Sequence, residues 1–172
     1  YREGVDGLKT GTTELAGASF VAHANENGMS LITVVMNADN GGEDEAARFT
    51  ATNELLDYVT QNWKIKTLNT KGQIVKKNDI KVADGDSQTI SAKLESDLTV
   101  VQKINSKNDA VKIKAKTITA PIKKDDTIGT ATFDDKDLVG TGYISDPPQI
   151  SVTANQSIKK SFFLKVWWNH IV

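Results

Sequence analysis

The chain has 172 residues, 38% hydrophobic and 25% charged, enough to bury one or two modest cores and too apolar to be disordered by composition. It has no cysteine, which excludes thiolate zinc sites and disulfide bridges, and its two histidines stand apart, so no metal and no cofactor is expected. The net charge of −1 hides an uneven distribution: three basic against ten acidic side chains over residues 1–63, a balance of −7, and eighteen against twelve over residues 64–172, a balance of +6.

That change of sign marks a domain boundary near Trp63 and Lys64. Two readings of the basic half stand side by side. Its lysines face an anionic surface such as a membrane or a polyanionic wall, or they are the solvated faces and guarded edges of strands. No nucleic-acid partner is expected.

In chain order, Val5 to Thr13 read as a strand that contains Lys9-Thr10-Gly11. A small-residue strand follows at residues 16–24, then a turn at Glu26-Asn27-Gly28 and a second strand at residues 30–37. On an edge strand Lys9 can set a positive charge beside a bound carboxylate or a nucleophile's proton network, Thr10 can offer its hydroxyl, and Gly11 lets a substrate backbone lie close. The plainer reading of the triplet is a turn between strands.

A polar loop at residues 37–42 leads to an expected helix over residues 43–63. Its acidic opening, Glu43, Asp44 and Glu45, suits the positive end of the helix dipole, and Phe49, Thr52, Leu56, Val59 and Trp63 form the stripe expected to pack on the sheet. Arg48 fits this helix poorly, because a cation in a first turn is unfavourable by about 0.3–1 kcal/mol. It can pair locally with Asp44 or Glu45. Strands and one helix of this size leave too little core to stand alone.

From Lys64 onward the pattern changes to short runs of Val, Ile and Thr with polar alternation, at residues 74–75, 80–82, 88–94, 98–104, 111–118, 127–133 and 150–153. Turn signals at Lys71-Gly72, Asp84-Gly85-Asp86 and Lys107-Asn108-Asp109 separate them, and the expected architecture is a small antiparallel sandwich. No polar cluster in it looks catalytic. The tail, residues 157–172, mixes Phe, Trp, Leu and Lys and falls short of the ~20 residues that cross a bilayer. It reads either as an interfacial membrane anchor or as a terminal segment docked on the core.

Lys9-Thr10-Gly11 within Val5-Asp6-Gly7-Leu8-Lys9-Thr10-Gly11-Thr12-Thr13, with the two strands behind it, resembles the last strands of the transpeptidase domain in low-molecular-mass penicillin-binding proteins of the D-alanyl-D-alanine carboxypeptidase family. Serine penicillin-recognising enzymes combine this triplet with Ser-x-x-Lys and Ser-x-Asn. The resemblance implies an α+β remnant of a transpeptidase/β-lactamase-like domain at residues 1–63, an all-β sandwich at 64–156 that acts as a pedestal, and the start of a membrane-anchoring tail at 157–172. It also implies roles: Lys9, Thr10 and Gly11 at the catalytic site, the amide of Thr12 as an oxyanion donor, and Thr10 with Arg48 on the substrate's terminal carboxylate. Arg48 stands seven residues before Leu55-Leu56, as the family's arginine does.

Ser106-Lys107-Asn108 and Ser157-Ile158-Lys159-Lys160 match the other two elements in reversed chain order and read as accidents. The acylating serine and its lysine are therefore expected in a missing N-terminal part of the same domain, and the chain alone is expected to be inactive. The implied substrate is the peptidoglycan stem peptide, the implied inhibitors are β-lactams, and the implied place is the outer face of the cell membrane. A β-lactamase or cross-linking transpeptidase shares the triplet, but the sandwich and tail point away from both. The alternative from a different class is a non-catalytic wall or membrane interaction module.

Overall fold

A computed structural model describes residues 2–38, 44–76, 79–115, 117–140 and 142–162. The chain divides into two compact units, one of residues 1–66 and 101–106, the other of residues 67–100 and 107–172.

In the first unit β1 (Val5–Thr13), β2 (Gly17–Glu26) and β3 (Met29–Val35) form an antiparallel meander in that order, so β1 and β3 both lie at edges. Asn27 and Gly28, with φ of 51° and 76°, make the two-residue turn between β2 and β3. Both central residues need φ > 0 in such a turn, which is why Asn-Gly marks it. The helix α1 (Ala47–Asn62) covers one face of the sheet. Along β2 the residues beneath it are Ala18, Phe20, Ala22 and Ala24, all buried, and the small ones let the helix lie close.

The helix departs from the sequence expectation in two ways. It begins at Ala47, after the acidic cluster, because Asp44 is spent on a turn in which its carboxylate accepts from the Ala46 amide at 2.9 Å. The buried stripe is Arg48, Thr52 and Leu56, four residues apart, so the helix is rotated relative to the apolar pattern. Phe49 remains 47% exposed, edge-on to Phe20 at 5.2 Å. An inward arginine accounts for the rotation, since hydropathy alone would have turned it outward.

On the opposite sheet face His23 links three strands. Its Nδ1 lies 2.7 Å from Oδ1 of Asp6 on β1, and its Nε2 lies 2.9 Å from Oγ of Ser30 on β3. The link spans the place where the β1–β2 register shifts, between Val5 and Leu8. His23→Ala is expected to destabilise the first unit by about 0.5–1 kcal/mol, the range of a half-exposed pair. Urea denaturation checks this, and a change below 0.2 kcal/mol would reduce the link to ornament.

In the second unit the strands are β4 (Trp63–Asn69), β5 (Ile80–Ala83), β6 (Thr89–Ile90), β7 (Ala92–Leu94), β8 (Leu98–Lys103), β9 (Val111–Lys114), β10 (Ile118–Thr119), β11 (Thr127–Phe133) and β12 (Gln149–Ala154), with β4 and β8 running across the division between the units. They form a four-stranded sheet β7-β12-β11-β9, a three-stranded sheet β10-β5-β6 and the ribbon β4-β8. One core, including Ile90, Leu94, Leu98, Ala131, Val152 and Ile158, lies between them.

The expected runs 88–94 and 111–118 are each broken. β6 and β7 belong to different sheets, as do β9 and β10, so the chain crosses from one layer to the other at each break. Alternation continues across such a corner and cannot reveal it. Nor is the sandwich purely antiparallel, because β10 lies parallel to β5, with Ile118 opposite Val82.

Residues 157–161, expected to open the tail, lie on the sandwich. Ile158 is 2% exposed and exchanges two 2.9 Å backbone bonds with Ile122, while the Ser161 amide donates to the Asp84 carbonyl at 2.7 Å. Gly85 makes room: a Cβ there would stand 2.8 Å from Cγ2 of Ile158. Residues 163–172, the greater part of the expected anchor, lie outside the described residues. No helix among the described residues is long and apolar enough to cross a membrane.

Candidate active site

The direction of each backbone group on β1 follows from its neighbours. The Ala38 amide donates to the Ala18 carbonyl at 2.9 Å, so Ala18 faces the β3 side and its neighbour Ser19 faces β1. Ser19 is the partner of Gly11. Successive residues of a strand point their N–H and C=O to opposite sides. Gly11 therefore turns its carbonyl toward β2, and the amide of Thr12 projects outward from the free edge of β1.

The side chains alternate in the other sense. Thr10 and Thr12 pair with Phe20 and Ala18, both buried beneath α1, so they stand on the helix face. Lys9 pairs with Val21 on the opposite face, and its ammonium folds over the edge to the Thr10 carbonyl. Lys9 and Thr10, offered by the sequence as neighbours in one cleft, thus flank the strand on two sides. A Cβ built on Gly11 meets nothing within 4 Å, so no described neighbour demands glycine there.

Arg48 is 3% exposed. Its Nε donates to the Glu45 carbonyl at 2.7 Å, Nη1 to the carbonyls of Gly11 at 3.1 Å and Ser19 at 3.3 Å, and Nη2 to Oγ1 of Thr12 at 2.9 Å. Nη2 also lies 3.0 Å from Oε2 of Glu45. Four hydrogen bonds and one ion pair thus engage all three guanidinium nitrogens. The local pairing with Glu45 expected from sequence is present, and beside it the guanidinium contacts the Lys9-Thr10-Gly11 strand, which the sequence did not foresee. The Glu45 carboxylate is the solvent-facing member, its side chain 67% exposed.

Sequence reasoning did not find the part played by the Ser19 carbonyl. Backbone oxygens leave no residue-type signature, and only the β1–β2 register brings this one to Arg48. The link through Asp6, His23 and Ser30 was equally hidden, although the period-two placing of His23 beside Val21 marks its face. The other two motif matches serve local structure: the Ser106 amide closes a turn onto the Lys103 carbonyl at 3.0 Å, Asn108 donates to the Asp134 carbonyl at 2.7 Å, and Ser157 Oγ accepts from the Lys124 amide at 2.8 Å.

A cavity of about 400 Å³ opens on the helix side of the first unit, lined by Val5, Gly7, Phe20, Phe49 and Thr52 among others. None of Lys9, Thr10, Gly11, Thr12 or Arg48 lines it. Its walls are mainly apolar, and the chemistry lies along the strand edge instead. Arg2 at its rim is held bidentately by Glu26 at 2.6 and 2.7 Å and reaches Asp57 at 2.7 Å, tying the start of β1 to β2 and α1.

The sheet edge thus presents an outward amide, a lysine and a bare glycine beside a buried arginine. Two family models match the chain: residues 1–40 match D-alanyl-D-alanine carboxypeptidase, and residues 63–160 match the penicillin-binding protein 5 C-terminal domain. The chain belongs to the D-alanyl-D-alanine carboxypeptidase family of low-molecular-mass penicillin-binding proteins.

It is 29% identical over 167 residues to the D-alanyl-D-alanine carboxypeptidase DacF of Bacillus subtilis, covering 95% of this chain and 40% of that protein. It is 33% identical over 140 residues to DacD of Escherichia coli, covering 77% and 34%. The crystal structure of a peptidoglycan synthesis regulatory factor, PBP3, from Streptococcus pneumoniae superimposes with a TM-score of 0.70 at 36% identity, covering 92% of this chain and 44% of that one. Penicillin-binding protein 5 from Haemophilus influenzae, at 22% identity and a TM-score of 0.53 over 91% and 43% of the two chains, shares the fold. The expected combination of a partial α+β domain and a β-sandwich agrees with these neighbours.

Proposed function

We propose that this chain is the C-terminal part of a serine-type D-alanyl-D-alanine carboxypeptidase, which removes the terminal D-alanine of peptidoglycan stem peptides and is acylated by penicillin at the same serine. The observation that carries this reading is the Thr12 amide projecting from the free edge of β1, with Lys9 and the bare Gly11 beside it. The substrate's peptide lies along that edge. An upstream serine, deprotonated by an upstream lysine, attacks the carbonyl carbon, and the Thr12 N–H stabilises the developing oxyanion. The amide bond breaks, D-alanine leaves with a proton on its amine, and water then hydrolyses the ester and frees the serine.

Lys9 supplies positive charge beside the nucleophile's proton network, and Thr10 binds the terminal carboxylate. Arg48 joins it when that carboxylate displaces the exposed Glu45 from Nη2, for which a planar guanidinium is well shaped. The rest of the domain covers the other sheet face, where Ile32 and Val34 stand 69% and 59% exposed. Exposed apolar side chains at alternate positions of β3 suit a covering segment. The sandwich holds the catalytic domain off the membrane, and residues 163–172 begin an anchor on its outer surface.

Fluorescent penicillin tests this reading. The 172-residue chain is expected to remain unlabelled alone and to be labelled when joined to the upstream residues. Labelling of the isolated chain would show that the nucleophile lies within it, and no labelling of the joined protein would remove the activity altogether.

A further inference from the structure

We infer that Arg48 is a positioning residue for the oxyanion donor: it aims the Thr12 amide through the peptide unit that Thr12 shares with Gly11. The inference rests on the carboxypeptidase reading and adds a role besides carboxylate binding.

The carbonyl of Gly11 and the N–H of Thr12 belong to one planar group, and in a trans peptide they point in opposite directions. Nη1 of Arg48 grips the carbonyl end at 3.1 Å. That contact holds the N–H end in the outward direction that the β1–β2 register gives it. The β1–β2 register already turns this carbonyl inward; the guanidinium adds a charged second donor, which resists the tilting that the φ/ψ freedom of Gly11 and the absence of an outer strand partner among the described residues would otherwise allow.

Two further bonds complete the hold. The same Nη1 reaches the Ser19 carbonyl at 3.3 Å, which ties the plane to β2, and Nη2 reaches Oγ1 of Thr12 at 2.9 Å, which pins the residue that carries the N–H. A charged donor on a carbonyl also polarises the peptide, so the opposite N–H becomes a stronger donor. At 3% exposure water competes little for these bonds. Glu45 holds the guanidinium from outside through its carbonyl and carboxylate. A carboxylate receptor would need only two free donors; the structure instead commits three contacts to the Gly11–Thr12 unit and its neighbour.

The test compares wild-type full-length enzyme with Arg48→Lys, using a stem-peptide substrate and a thioester substrate without a terminal carboxylate. For Arg48→Lys, kcat is expected to fall roughly tenfold or more on both substrates. The carbonyl stretch of the penicilloyl-enzyme should move to higher frequency, the signature of a weakened oxyanion bond. A rise in KM confined to the stem peptide, with kcat and the carbonyl band unchanged, would overturn the inference and leave Arg48 as a carboxylate receptor only.

Should Arg48→Lys fail to fold, a ¹³C label on the Gly11 carbonyl of the wild-type enzyme decides. Its amide band is expected below that of a labelled Lys9 carbonyl, which faces β2 in the same way two residues earlier, and coincidence of the two bands would overturn the inference. Failure of the wild-type enzyme to react with penicillin at all would count against the carboxypeptidase reading itself.

Discussion

Replacing Lys9 by alanine in the full-length enzyme is expected to slow acylation by penicillin by about 10²–10⁴-fold, the range that a positioned proton-transfer or charge-stabilising group contributes. The fold should hardly respond. Lys9 is exposed, and its ammonium donates to the Thr10 carbonyl, so the substitution resembles a surface change worth within about ±0.5 kcal/mol. Lys9→Arg should recover part of the rate, since the charge is kept while its reach and proton affinity change. Stopped-flow labelling with fluorescent penicillin, paired with thermal unfolding of each variant, separates chemistry from stability. Acylation of the alanine variant within threefold of wild type would remove Lys9 from the mechanism.

The second large effect concerns the end of the sandwich. Ile158→Ala should destabilise the second unit by about 2–5 kcal/mol, because a large buried side chain is deleted from a packed core. Ending the chain after Gln156 should do at least as much harm. It also removes the paired bonds with Ile122 and the contacts of Lys159 and Ser161 with Asp86 and Asp84. Ending it after Phe162 keeps the segment that lies on the core and serves as the reference for the shorter cut. Equal midpoints for all three variants would mean that residues 157–161 do not contribute to the core. The same comparison governs any membrane experiment: loss of vesicle binding reports on an anchor only when the cut falls beyond the segment that the sandwich needs.

The family and the two-part architecture were legible because they are written in local patterns. Lys9-Thr10-Gly11 between a turn and two strands, the Asn27-Gly28 turn and the alternation in β8 and β9 all reflect constraints acting over a few residues. Backbone geometry and period-two burial act at that range. Two expectations failed for the same reason. An unbroken strand over residues 111–118 and a helix starting at Glu43 both followed local pattern, and both gave way to tertiary demands, one to a change of sheet and the other to the turn at Asp44.

What the amino-acid sequence determined by itself was the position of the helix, most of the strand-forming segments apart from β4, and which residue types stand on the candidate strand edge. Only the tertiary structure decided that Arg48 turns inward, that Ser19 and Gly11 present their carbonyls to it, and that Ile158 belongs to the sandwich core. The physical reason is distance along the chain. Arg48 and Gly11 are 37 residues apart. A buried guanidinium takes whatever oxygens the packed sheet brings to it, and backbone oxygens carry no residue name in the sequence.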